Sequence, residues 1–318
     1  MISLKLWRAL SKPPRRHPLF KYVLAKAKED NPQVTSGFFV WAMMLMGFLF
    51  FFVVIVEWFL PIILIALVAL NSIYAMRWSV RIATAIIEEK EANRYDLLAA
   101  LPIGLLGTNW AISTGCIHQR SSFKWLPYII LILNIVAFLV ICSLVTLTLT
   151  LLEPLSNTEA AFVGNLYFAR VGIVALPFTI LFYIDHIYSI LTAVLVGQVA
   201  TLDNGNLAEG QIRALLGFLA VQLTLYVFTF GIAGVALPAL FASFGQDGID
   251  SLVLIGILGV GLFIVMREII VYQLWKFLAR FLEADAKEIA LVLKPFYEAE
   301  AILKESEKAR AKYMDATP

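Results

Sequence analysis

Charged residues, cysteines and histidines are scarce in this chain. Only 15% of its 318 residues are Asp, Glu, Lys or Arg, with two cysteines and three histidines. So little charge does not suit a water-soluble domain. The two cysteines, Cys116 and Cys142, form no metal-ligand spacing, and neither is expected in a disulfide. The net charge of +2 gives no sign of a nucleic-acid partner, and none is expected.

Motifs of enzyme chemistry are also missing. The sequence contains no Gly-x-x-x-x-Gly-Lys-Ser/Thr, the loop that cradles the phosphates of a nucleotide. It has no Ser-His-Asp or Cys-His spacing of a hydrolase, and His17, His118 and His186 are far apart. We therefore expect no enzymatic activity, no cofactor and no metal site in this chain.

Apolar sequence is abundant, at 61% of the residues. A bilayer core about 30 Å thick requires about 20 apolar residues per crossing helix. Several runs reach this length and polar segments separate them, which predicts an all-α, polytopic helical membrane protein. The six predicted spans cover residues 37–56, 58–76, 127–152, 177–202, 215–242 and 251–272.

The basic residues predict how these spans are oriented. Of 25 Lys and Arg residues, 8 lie in 1–36, 6 in 77–126, 1 in 203–214 and 9 in 267–318, which leaves only Arg170 elsewhere. Because cytoplasmic loops retain Lys and Arg, this pattern predicts an even number of crossings with both termini in the cytoplasm. Segment 161–202 leaves a seven-span alternative open, because its 42 residues could form two short spans.

Three polar segments accompany the predicted transmembrane domain, 37–272. Within residues 1–36, the stretch 17–28 places its apolar residues on one helical face, which is typical of a helix in the lipid head-group plane. A disordered basic leader is the alternative. Residues 77–126 are expected to form a cytoplasmic loop. Residues 273–318 are expected to form a cytoplasmic tail of solvated helices, because charges alternate there at helical spacing.

The most specific local sequence follows the second predicted span. An acidic run at 88–91 belongs in water, whereas the leucines at 97, 98 and 101 need an apolar partner. A short amphipathic helix held just below a membrane suits docking in a groove of another protein. An ordinary solvated loop helix is the alternative.

This sequence resembles the cytoplasmic segment of ABC-2 type transporter permeases. The family pattern has an acidic pair, an aromatic residue, an acidic residue, Leu-Leu and then Pro-Ile, matched here by Glu88-Glu89, Tyr95-Asp96-Leu97-Leu98 and Pro102-Ile103. Ala92-Asn93 stands where Gly-Thr is common in the family. The helical stretch at 17–28 and the six-span plan are also similar to the family's.

The resemblance implies a permease subunit of an ATP-driven transporter, an exporter in the inner membrane of a prokaryote. Such a permease pairs with a second permease copy, identical or different, and with separate ATPase subunits. The implied ATPase-coupling residues are Glu88, Glu89, Glu91, Arg94, Asp96, Leu97, Leu98 and Pro102. A scaffold subunit of a larger membrane complex, with no transport of its own, is the alternative function.

Asp185 and His186 fall inside the fourth predicted span. An ionisable pair there costs several kcal/mol unless it faces protein or water, so it indicates a proton or substrate contact, as in an ion-coupled transporter. The alternative is that the pair lies at a membrane interface. Asn71 is expected to bridge helices by hydrogen bonds, and Arg267-Glu268 to form an ion pair at the inner end of the sixth span.

Overall fold

A computed structural model describes residues 1–11, 20–23, 25, 60–99, 103–118, 181–203, 205–243 and 249–293. The regular structure of these ranges is entirely helical, which confirms the all-α prediction. The helices are α1 Ile2–Ser11, α2 Leu60–Glu91, α3 Tyr95–Ala99, α4 Gly104–His118, α5 Leu181–Val199, α6 Leu207–Gly231, α7 Leu237–Ser243, α8 Ile249–Phe281 and α9 Ala286–Leu293, with a π-helical turn, Ile232–Ala236, between α6 and α7.

Among the described residues, three helical stretches are long and apolar enough to cross a membrane: Leu181–Val199, Leu207–Ser243 and Leu254–Phe281. They fall in the fourth, fifth and sixth predicted spans, but the fifth begins eight residues earlier and the sixth continues nine residues further. These helices indicate a membrane protein. The first and third predicted spans and residues 161–180 lie outside the described residues, so both span counts stay predictions.

The candidate spans differ in how much of their surface the protein covers. The apolar window of α5 is 78% buried, whereas the windows of 207–243 and 254–281 are only 11% and 17% buried. The exposed side chains of α6 include Leu223, Val227 and Phe230. Soluble monomers rarely expose so large an apolar surface, whereas lipid tails solvate it without cost.

The chain divides into two compact units. The first comprises Met1–Asn31, Ala75–Gln119 and Tyr188–Pro318, and the second comprises Pro32–Tyr74 and Arg120–Ile187. Every Lys and Arg that the structure describes belongs to the first unit.

Helix α2 continues without a break from apolar into charged sequence. Its only proline, Pro61, lies in the first turn, where a missing N–H costs nothing. The helix has 32 residues, which at about 1.5 Å per residue is about 48 Å. The helix containing most of the second predicted span therefore extends well past residue 76, to Glu91.

Helix α1 belongs to the packed part of the first unit. Its Leu6 and Leu10 side chains are fully buried. The carboxylate of Glu268 accepts hydrogen bonds from the Ile2 N–H (2.6 Å) and the Ser3 hydroxyl, an arrangement favoured by the positive N-terminal end of a helix. The start of the basic segment 1–36 is therefore a packed helix.

Helical structure also occurs inside the predicted interfacial stretch, at residues 20–23 and 25. Phe20 and Val23 are buried, and the Phe20 ring meets the His118 ring edge-on at 6.3 Å between centroids. A Cβ on Gly115 would lie 2.6 Å from Val23 Cγ1, so glycine permits this close approach. These buried side chains contact α4. The position of the stretch 17–28 in the lipid head-group plane stays a prediction.

Helix α4 is a feature that the sequence did not reveal. It lies within the predicted cytoplasmic loop 77–126, yet 13 of its 15 residues are buried. Its sequence carries no Asp, Glu, Lys or Arg, so burying it on every side leaves no uncompensated permanent charge. The hydroxyls of Ser113 and Thr114 donate back to the carbonyls of Asn109 and Trp110, both at 2.7 Å.

Small residues bring α2, α5 and α6 close together in the first unit. Ala83, Ala200 and Ala214 form a buried cluster. A Cβ on Gly197 would lie 2.6 Å from the backbone oxygen of Ser79. Close backbone approach at small side chains is a common way to pack helices in membranes.

The first helix of the predicted tail is not fully solvated. Helix α9 packs against α4 and α1, and Val292 is buried. Ile289 and Val292 form an apolar face, which explains why α9 packs against other helices. The alternation of charges in the sequence does not show which residues lie on this face. Residues 294–318, including Pro295, lie outside the described residues.

Candidate functional site at the end of helix α2

The end of α2 is a defined turn that fixes the direction of α3. Asn93 N–H donates to Lys90 O and Arg94 N–H donates to Glu89 O, both at 3.0 Å. Asn93 adopts φ 54°, the left-handed conformation that asparagine tolerates better than most residues. These features define a Schellman motif, which ends the helix and starts α3 at Tyr95.

The residues predicted to couple to an ATPase divide into an exposed group and a buried group. Glu91, Arg94, Asp96 and Leu97 are exposed, and Leu97 is 73% exposed. An exposed leucine thus lies beside exposed charges of both signs. Glu89 is buried, Glu88 and Leu98 are partly buried, and Pro102 lies outside the described residues.

Glu89 belongs to the buried group. It is 2% exposed, and its Oε2 lies 3.1 Å from Arg94 Nε. The hydroxyl of Tyr22 also lies within 3.4 Å of both carboxylate oxygens. Glu89 therefore fixes the turn that carries α3, and only its neighbours offer charge to a partner.

Two hydrogen bonds attach α3 to the buried helix α4. The Tyr95 hydroxyl donates to Asn109 Oδ1 at 2.8 Å, and the Thr108 hydroxyl donates to Leu98 O at 3.0 Å. Burial raises the pKa of Tyr95 to about 12, against the opposing effect of the Asn109 hydrogen bond and with a further rise from Asp96. The phenol therefore stays neutral and remains a donor at physiological pH.

A cavity of about 220 Å³ lies behind this turn, on the side of Lys90 and Tyr95. Lys90 Nζ donates to Thr201 O at 2.5 Å and lies 5.2 Å from the centroid of the Tyr95 ring. Burial lowers the pKa of Lys90, while Asp96 and Asp203 raise it. The cavity also reaches Phe281, Leu282 and Glu283, where α8 ends.

A second Schellman motif ends α8 beside this cavity. Glu283 N–H donates to Arg280 O at 3.1 Å, and Ala284 N–H donates to Ala279 O at 2.9 Å. Glu283 has φ 48°. Helices α2 and α8 thus end in the same kind of turn, each followed by a short helix.

Asp185 and His186 meet Asn71 in the second unit. Asn71 Nδ2 donates to Asp185 Oδ2 at 2.6 Å, and His186 Nδ1 lies 2.7 Å from Asn71 Oδ1. All three side chains are buried. His186 Nε2 has no hydrogen-bond partner among the described residues, and the Tyr74 ring stacks on its imidazole at 5.9 Å. The sequence did not reveal that Asn71 would join the pair.

Sequence reasoning also missed a polar cluster around Arg267. This side chain is 1% exposed, and its guanidinium donates to Gln222 Oε1 (2.8 Å), Tyr226 Oη (3.1 Å) and Ser189 Oγ (3.3 Å). The sequence signal that could have revealed the cluster is that Gln222 and Arg267 each lie within an apolar run. Glu268, its expected ion-pair partner, binds the start of α1 and the Tyr188 hydroxyl (3.0 Å).

The described residues include no group of three or more His, Cys, Asp or Glu side chains that could hold a metal ion. The site at α3 offers an exposed leucine, exposed charges and two hydrogen bonds to α4. No protein-family model, no curated protein and no solved structure matches this chain.

Proposed function

We propose that this protein is the membrane-spanning permease subunit of an ATP-driven transporter of the ABC-2 type, an exporter that works with a separate ATPase subunit. The observation that carries the proposal is the placement of Leu97 and its charged neighbours. They lie on a short helix fixed at the end of a 32-residue helix, so a push on α3 is transmitted along α2.

The mechanism is mechanical. ATP binding closes the partner ATPases, and the closing motion displaces α3. Because Tyr95 and Leu98 tie α3 to α4 and the Schellman motif ties it to α2, α3 moves together with both helices. A path at the interface between two permease copies then changes its accessibility, which requires two conformations of similar free energy.

The experiment is purification of the tagged full-length chain from its native membranes, followed by quantification of any bound ATPase subunit and of Mg-ATP hydrolysis. The variant Leu97→Asp places a charge in the apolar contact and is expected to reduce both at least tenfold. Asp96→Lys should have a smaller effect in the same direction. Glu89 is unsuitable for this test, because reversing its charge would bury a cation beside Arg94.

Leu4→Asp is the matched control, because Leu4 is also an exposed leucine, at 56%, in the first unit. It should leave both quantities unchanged. A Leu97→Asp variant that retains its ATPase would overturn the coupling role. A wild-type chain that brings down stoichiometric membrane subunits but no ATPase would favour the scaffold alternative.

A further inference from the structure

The carboxylate of Glu288, on helix α9, lies at the first turn of helix α4. The Glu288 side chain occupies the space where a side chain on Gly104 would be, because a Cβ built there would overlap Glu288 Oε1 and Cδ. Gly104 also has φ +68°, a conformation that glycine adopts without strain. The positive φ favours glycine at this position, and the missing side chain leaves the space that the Glu288 carboxylate occupies.

The carboxylate matches the electrostatics of its site. The first N–H groups of a helix lack partners within it and carry partial positive charge. The Leu106 N–H, one of these groups, donates to Glu288. Burial raises the pKa of Glu288, the Leu106 hydrogen bond lowers it, and Asp285 raises it. A glutamine amide oxygen could accept the same hydrogen bond without a charge.

The contact between Glu288 and the start of α4 is linked through α4 to the exposed surface of α3. Glu288 holds the start of α4, and α4 holds α3 through Asn109 and Thr108. Leu97 lies on α3, within the turn of helix that these two hydrogen bonds attach. The second Schellman motif, at Glu283, turns the chain out of α8 so that α9 can reach α4.

We propose that Glu288 is a positioning residue for the ATPase-coupling segment, holding α4 and α3 in the arrangement that presents Leu97. This role rests on the proposed function, since it concerns how that segment meets its ATPase. The helix after the last predicted span is then part of the coupling device, and its removal would leave α3 less well ordered.

Hydrogen exchange on the purified full-length protein tests the physical link without any partner. Glu288→Ala removes the acceptor and should speed exchange of the amides at 95–98 and 104–108 by about tenfold or more. Glu288→Gln keeps an acceptor and should restore near wild-type exchange. Lys287→Ala, an exposed neighbour on α9, should change neither segment.

Gly104→Ala approaches the same contact from the other side and should also speed exchange. Because both changes break one contact, the double variant should show less than the product of the two single effects. Exchange in α8 reports whether a variant is folded. Unchanged exchange at 95–108 in a folded Glu288→Ala variant would overturn the proposal.

The same variants separate this proposal from the proposed function. Glu288→Ala should reduce the Mg-ATP hydrolysis that purifies with the chain, and Glu288→Gln should restore it. If the wild-type chain retains its ATPase and Glu288→Ala does not alter hydrolysis, the positioning role fails while the transporter function stands. If exchange responds as expected but no ATPase accompanies the wild-type chain, the transporter function fails.

Discussion

Helices α4 and α6 reverse the usual relation between polarity and burial. Helix α4 buries 13 of its 15 residues, among them Thr108, Asn109, Ser113 and Thr114. Helix α6 buries only 6 of 25 and exposes leucines such as Leu223. In water the opposite arrangement is the stable one. The comparison indicates that the surroundings of α6 are apolar, and that polar groups are placed where the protein itself supplies partners.

Some of the interior polar side chains of both helices pair across helices. In α4, Ser113 Oγ accepts from Gln198 Nε2 at 2.8 Å. In α6, Gln222 Nε2 donates to Ser189 Oγ at 3.0 Å while its oxygen accepts from Arg267. Interhelical hydrogen bonds of this kind contribute about 0.6 to 2 kcal/mol each in membranes.

The largest effect is expected when an aromatic side chain is removed from buried α4, compared with the same removal from exposed α6. Trp110 is 1% exposed and packs edge-on against Trp275 at 5.8 Å. Trp110→Ala should lower the free energy of unfolding by about 3–5 kcal/mol, because a cavity remains. Phe228→Ala, at a side chain 55% exposed, should change it by only about 0.5 kcal/mol. Reversible unfolding in detergent measures both, and equal losses would contradict the burial difference.

A second test compares a leucine that we expect to face lipid with one that we expect to face water. Leu223 is 61% exposed near the middle of 207–243, and Leu97 is 73% exposed on α3. An arginine at the centre of a span costs about 2.5–3.5 kcal/mol of insertion free energy. Leu223→Arg should therefore reduce the yield of membrane-integrated protein, whereas Leu97→Arg should not. Equal yields would place both leucines in the same kind of solvent.

The smallest expected effect concerns the two turns that end α2 and α8. Glu283 holds a left-handed backbone at φ 48°, which costs a residue with a Cβ about 1–2 kcal/mol. Glu283→Gly removes that strain but adds entropy to the unfolded chain, so a net gain of up to about 1 kcal/mol is expected. Asn93→Gly should gain less, because asparagine tolerates this conformation. A loss of stability at Glu283→Gly would show that its side chain has another role.

Some of the candidate site was accessible from sequence alone. The charged run and the leucines at 97 and 98 predicted a short amphipathic helix after the second span, and the structure has α3 there. The division of the acidic residues was not accessible, because Glu89 and Glu91 look alike in sequence. Which of them is buried depends on Arg94 and Tyr22, and Tyr22 is 67 residues away.

The polar clusters illustrate the same limit. Asp185 and His186 stand out in an apolar run, but Asn71 joins them only because two distant helices pack together. Arg267 was expected at the inner end of a span beside Glu268. The fold instead buries it against Gln222, Tyr226 and Ser189, and directs Glu268 to the start of α1.

The amino-acid sequence by itself determined the helical class, the membrane-length apolar helices and the amphipathic segment after α2. These follow from composition and local periodicity, which act within about 20 residues. Only the tertiary structure decided that α4 is buried, that Glu89 and Arg267 are interior, and that Glu288 reaches Gly104. Such contacts join residues far apart in the chain, and their free energy arises from desolvation and pairing, which exist only once the helices have packed.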